Sequence, residues 1–388
     1  TLASFRLPGF WLFYLYSTFS AVDMNVRMAV HGWLVLELSG DSELWVGVYA
    51  FTMGLGQLLF SSVSGALADR LQRKTLLLGE GVMSGAVSGG LALATYFDVA
   101  TLGLAIGLAF LIGCLRAVRF TATNRFVYDL VGPQQLVNGI SLWRLSTTPM
   151  MTLGAMLAGA LLERPGIWAA YAFMGISLVV AMPLLVMVRV RGVVERPTAG
   201  LLQQTVEGLR YAARNQALRT LFTVSVAMES LGFAFLVMIP VMAKTVLEVG
   251  GTGLGFMQAG VGAGMLVANV VMAARGDSEN KPRIVYMNAF AAGLALIAFA
   301  LSRSLILSVL SAAAVMAFLN AYDLTLGALM QLVAPPGLRG RAVSLHSLAI
   351  SFTALGGFAM GAAGSVVGVP LVLAASGVGI VANSLLRR

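Results

Sequence analysis

The residues able to do chemistry in this sequence sit where charge is costly. Asp23, Arg27 and His31 follow one another at intervals of four inside a long apolar run, so on a helix they form one stripe with each neighbour in reach. Arg116 and Arg119, three apart in another apolar run, share a face in the same way. Glu229 and Asp323 are the acids of later runs, and Asn320 lies one turn before Asp323. A charge near the centre of a bilayer costs at least about 2.5–3.5 kcal/mol, so such residues face a bundle interior or a wet cavity. The chemistry open to them is proton uptake and release by the carboxylates and anion capture by the guanidinium groups. The plainer alternative is that Asp23 and Arg27 form an internally neutral pair that only fixes helix packing. Arg116 and Arg119 have no acid on their own run and call for an anion from Asp23, Glu229, Asp323 or a bound molecule. Arg144 fits a side chain that snorkels to the interface. Glu80 fits a charged loop network near the start of its run, and His346 fits a packing or interface position.

Enzymatic constellations are not found. There is no nucleophile–base pair, no H-E-x-x-H and no phosphate loop. Two histidines and the single Cys114 make no convincing metal site and no internal disulfide. The sequence therefore implies no enzyme, no metal and no cofactor.

The elements that must hold these residues are membrane spans. Hydrophobic residues make up 59% of 388 positions and charged residues 11%, against about 25% charged in soluble domains. So few charges cannot skin a soluble chain of this length, and the apolar surface must face lipid. A span needs about 20 apolar residues. Breaks at charged, Pro and Gly clusters predict twelve: 10–36, 44–68, 75–97, 100–124, 138–162, 167–189, 217–241, 252–274, 284–302, 305–330, 342–365 and 368–386. No removable signal peptide is expected from Thr1 onward. Eighteen Lys and Arg fall in one set of loops and three (Arg164, Lys244, Arg303) in the other. That bias, and not nucleic-acid binding, accounts for the net charge of +9 and predicts both termini in the cytoplasm. The polar stretch 190–216 reads as a linker with an amphipathic helix on the inner membrane surface. It separates two halves, 1–189 and 217–388. Asp129-Leu130-Val131 through Leu136 is echoed by Gln331-Leu332-Val333 through Leu338 at an offset of 202 residues. Parallel transporter halves show this kind of repeat.

One loop carries a recognisable pattern. Gly65-Ala66-Leu67-Ala68-Asp69-Arg70-Leu71-Gln72-Arg73-Lys74 joins a helix end to a compact charged turn. Gly65 permits close helix approach, Asp69 can accept from a helix N-terminus, and Arg70 and Arg73 can grip a carboxylate, for which Asp129 is a candidate. The string resembles the loop 2–3 signature of the major facilitator superfamily, with Gln72 where that pattern usually has Gly. The turn Arg339-Gly340-Arg341 resembles the loop 10–11 signature of the branch with enterobactin-exporter-like and macrolide-efflux-like transporters. Gly154 to Gly159 keeps the glycines of the helix 5 signature of drug:proton antiporters, but Ala155 stands where that signature has Pro.

The resemblance implies an all-α membrane protein with twelve transmembrane helices in two pseudo-symmetric six-helix bundles. It implies a monomer in the bacterial inner membrane, working by alternating access. Its expected activity is proton-coupled efflux of a small amphipathic or anionic organic molecule, with the proton gradient as energy source. The expected proton or substrate residues are Asp23, Arg27, Arg116, Arg119, Glu229, Asp323 and Asn320. The expected gate is Gly65, Asp69, Arg70, Arg73, Lys74, Asp129, Arg339 and Arg341. A facilitator for a lipid or a metal ion, without obligatory proton coupling, is the alternative.

Overall fold

The computed structural model describes residues 3–7, 9–132, 135–189, 215–275, 280–333, 345–346 and 348–386. Among these, the regular structure is helical throughout. The first six long helices are α1 (Phe10–Leu38), α2 (Glu43–Arg70), α3 (Arg73–Tyr96), α4 (Leu102–Val131), α5 (Leu136–Glu163) and α6 (Ile167–Met187). Then come α7 (Gln216–Val246), α8 (Gly250–Arg275), α9 (Lys281–Leu301), α10 (Leu305–Val333), α11 (Leu348–Val367) and α12 (Val369–Leu386). Each expected apolar run coincides with one of these helices, its ends displaced by a few residues. Ten of them are long and apolar enough to cross a membrane. The other two are α1, which carries Asp23, Arg27 and Glu37, and the shorter α12. The chain is thus a multi-pass membrane protein. The expected linker helix falls on 190–214, outside the described residues.

Local signals set several helix ends. The Thr101 hydroxyl accepts from the Leu104 N–H and the Asn215 amide oxygen from the Leu218 N–H, capping α4 and α7. α4 and α11 stop at Gly132 and Gly368, whose φ of 70° and 87° suit residues without a Cβ.

The packing repeats. α1 lies against α5 and α6, α2 against α4, and α3 against α4 and α6. Adding six to each label gives the pairs of the second set: α7 with α11 and α12, α8 with α10, and α9 with α10 and α12. The two principal contacts that join the sets, α2–α11 and α5–α8, are related by the same shift. Both are made by glycines with backbone against backbone. A Cβ on Gly361 would lie 2.6 Å from the Glu43 carbonyl oxygen, and one on Gly255 2.8 Å from that of Ala155. Larger side chains would part the helices.

These joining contacts cluster near the α1–α2, α5–α6, α7–α8 and α11–α12 connections, here called the far end. The opposite end, nearest the start of α1 and the finish of α12, is the termini end. At the far end Lys244 reaches Asp41 at 2.7 Å and stands over the Trp33 ring. Glu163 of α5 accepts from the Thr252 N–H at the start of α8 at 3.2 Å. One hydrophobic core runs through both sets of helices, and a smaller one around Phe10, Phe13, Phe126 and Leu185 belongs to the first set alone. The far end is closed.

Candidate functional site

A cleft open on one side, with a cavity volume of ≈ 40 Å³, lies among α1, α2, α3 and α4. Its charged lining is Asp23 and Arg27 from α1, Glu80 from α3, and Arg116 and Arg119 from α4. The four-residue spacing on α1 brings Arg27 Nη2 to 2.6 Å from Asp23 Oδ1, and the same nitrogen donates to the Ser88 hydroxyl at 2.8 Å. From α4, Arg119 grips Glu80 with two nitrogens, Nε at 3.0 Å and Nη2 at 2.9 Å. It also donates to the Ser20 carbonyl and stands 3.5 Å from Asp23 Oδ2. Asp23 and Glu80 are 1% and 4% exposed, so each carboxylate depends on these partners to remain in the protein interior.

Glu80 is therefore a correction to the sequence reading. It is not part of the loop network: it lies one helical turn and more inside α3, bonded to Ser84 and to Arg119. It supplies the anion that the helix 4 arginines call for, together with Asp23. The signal was present in the Glu80–Ser84 spacing, since residues four apart share a face. What the sequence could not show is that α3 and α4 pack together.

Arg116 is different. It lines the cavity half-buried, and among the described residues it has no ion pair and no hydrogen bond. His31, third in the α1 stripe, also leaves the charged cluster. Its Nε2 meets the Ala105 carbonyl at 3.1 Å and must carry the proton there, and its Nδ1 meets the Tyr171 hydroxyl at 2.8 Å. Its ring stacks on Tyr49, so it braces the cavity wall.

The second set of helices holds a separate cluster. Glu229, 4% exposed, accepts from the Thr353 hydroxyl of α11. Glu229 opens a π-helical turn, Glu229–Phe233, inside α7, a distortion often found at functional sites. Asp323 of α10 pairs with His346 Nε2 at 3.1 Å. His346 is thus a partner of an intramembrane acid, where the sequence suggested only packing or an interface. Glu229, Asp323 and His346 interact electrostatically, and among the described residues no Lys or Arg joins them. Asn320 stays apart, donating to Asn269 of α8 at 2.9 Å.

Of the expected gate, Arg73 pairs with Asp129 at 3.5 Å, linking the starts of α3 and the end of α4. Lys74 donates to the Val186 and Val188 carbonyls and so caps α6. Gly65 is buried within α2. The side chains of Asp69 and Arg70, and residues Arg339 and Arg341, lie outside the described residues. Arg144 is exposed near the start of α5.

The family described as transmembrane secretion effector matches residues 1–388. A chloramphenicol resistance protein of Pseudomonas aeruginosa is 32% identical over 140 residues, 36% of this chain and 31% of the relative. The match thus spans about a third of that relative's length. Among solved structures, a mutant of the nucleoside transporter NupG is similar at TM-score 0.77 and 13% identity, covering 97% of this chain and 99% of that one. The bacterial homologue of the human lysosomal transporter Spinster, inward-facing and occupied, gives 0.73 at 14%, covering 97% and 94%. A D-xylose–proton symporter gives 0.71 at 14%, covering 97% and 96%. At these identities the solved structures share the fold.

Proposed function

The chain belongs to the transmembrane secretion effector family, a branch of the major facilitator superfamily, and as a transporter and not an enzyme we propose that it exports a small organic molecule against proton counterflow. The proposal includes twelve spans in two six-helix bundles, a monomer in the bacterial inner membrane, both termini in the cytoplasm, and alternating access. With that orientation the far end faces outward, and the closure described above shuts the outward side.

One observation carries the reading: two charged clusters of opposite character lie on opposite sides of the closed far-end interface. The α1–α4 cavity holds three arginines and two carboxylates and suits an amphipathic or anionic cargo. The α7–α10–α11 cluster holds two acids and a histidine without Lys or Arg among the described residues, and suits a proton. Asp23 is held by two arginines, whereas Glu229 is held by a hydroxyl. Glu229 therefore carries the proton, with Asp323 and His346 beside it. Asp23 keeps Arg27 and Arg119 in place for the cargo. The relative's name makes chloramphenicol a first cargo to try.

The test uses proteoliposomes with an imposed pH gradient and radiolabelled chloramphenicol. Glu229→Gln is expected to abolish gradient-driven accumulation while leaving exchange between the two faces. Asp23→Asn is expected to weaken both. Undiminished gradient-driven transport in both variants would overturn proton coupling through these residues.

A further inference from the structure

Resting on the transport reading, we infer that the α1–α4 cavity selects cargo carrying a single negative charge on an apolar body, and that Arg116 is the residue that receives it. Two of the three cations of the cavity are already occupied. Arg119 spends Nε and Nη2 on Glu80 and Nη1 on the Ser20 carbonyl. Arg27 spends Nη2 on Asp23 and Ser88. The two carboxylates of the cavity are thereby neutralised, and one guanidinium remains.

That guanidinium belongs to Arg116. The group that interacts with it electrostatically is the Tyr49 phenol, which is no counter-ion at neutral pH. A cation in an apolar wall without an anion is costly to keep unless an anion arrives. A second donor belongs to a residue of the same lining: Arg27 Nη1 is fully buried and, among the described residues, has no hydrogen-bond partner. A buried arginine nitrogen left unbonded also calls for an acceptor. Three arginines against two carboxylates leave room for one negative charge and not for two.

The rest of the lining sets the body of the ligand. Met24, Met53, Ile112 and Leu115 line the same cavity as the two guanidinium groups, and methionine adapts to aromatic and irregular apolar shapes. A carboxylate, phenolate or enolate on an aromatic or branched apolar scaffold fits this pattern. A cationic amphiphile does not, because it would meet the uncompensated charge.

The test is binding, independent of transport. The purified full chain in phosphatidylethanolamine/phosphatidylglycerol nanodiscs is titrated with 1-naphthoate and with the neutral 1-naphthamide of nearly the same shape. A charge-assisted bond in such a site is expected to favour the carboxylate by roughly ten- to a hundred-fold. Arg116→Gln weakens carboxylate binding far more than naphthamide binding and so removes that preference, and Arg116→Lys restores part of it. Equal binding of the two probes by the parent protein, or a preference that survives in Arg116→Gln, overturns the inference. So does loss of both probes in Arg116→Gln, because the residue would then only shape the cavity. Failure of radiolabelled 1-naphthoate to be transported in proteoliposomes, with these outcomes intact, would instead overturn the transport reading.

Discussion

Arg116 and Arg119 are three residues apart on one helix, yet the protein uses them in opposite ways. Arg119 holds together α1, α3 and α4 through Asp23, the Ser20 carbonyl and Glu80. Arg119→Leu would leave Glu80 buried with only Ser84, and removal of one partner from a buried pair costs about 3–5 kcal/mol. Arg116→Leu leaves no acid stranded, so its unfolding midpoint stays close to the parent's. Thermal unfolding of the two variants in the same detergent checks the contrast; equal losses would mean that Arg116 has a structural partner. A second contrast lies in the other cluster, where a double-mutant cycle on Asp323 and His346 should show a coupling of about 0.5–3 kcal/mol. The intrahelical pair Asp23–Arg27 was legible in the sequence because a helix fixes what lies four residues away. Glu80 and His346 were misread because their partners come from other helices, and one sequence does not say which helices touch.

At the scale of elements, the apolar runs located the helices well, since length and polarity alone decide where a span begins. The π-helical turn at Glu229 was not legible: it arises where α7 must pass Leu319 of α10 and Ile380 of α12, against which Gly232 is pressed. The glycine interfaces were visible as composition but not as contacts. They give a prediction. A Cβ on Gly364 would stand 3.8 Å from the Glu43 Cβ, the separation a disulfide uses. In a Cys114→Ala background, Glu43→Cys with Gly364→Cys should therefore oxidise to a bond between α2 and α11. Chloramphenicol transport into proteoliposomes should stop on oxidation and return with dithiothreitol. Continued transport by the fully oxidised protein would mean that the far end does not open during the cycle.

For the whole molecule, the repeat seen near Asp129 and Gln331 extends to the packing, where every principal helix pair of one set has its counterpart six helices later. The function does not share that symmetry. One set carries a surplus of arginine, the other two acids and a histidine. Among the described residues, the charges of the second cluster are Glu229 of α7, Asp323 of α10 and His346, which precedes α11. With Glu229 and His346 protonated the cluster is neutral overall; with both deprotonated it holds two negative charges in a buried space. The packing described here, closed at the far end, should therefore lose population as pH rises. Double electron–electron resonance between spin labels at Tyr128 and Ala274, exposed at the termini ends of α4 and α8, reads this directly in nanodiscs. Proton-linked alternating access predicts a long and a short distance, with the long one dominant at pH 5.5 and the short one gaining by pH 8.5. A single distance unchanged across that range would contradict it.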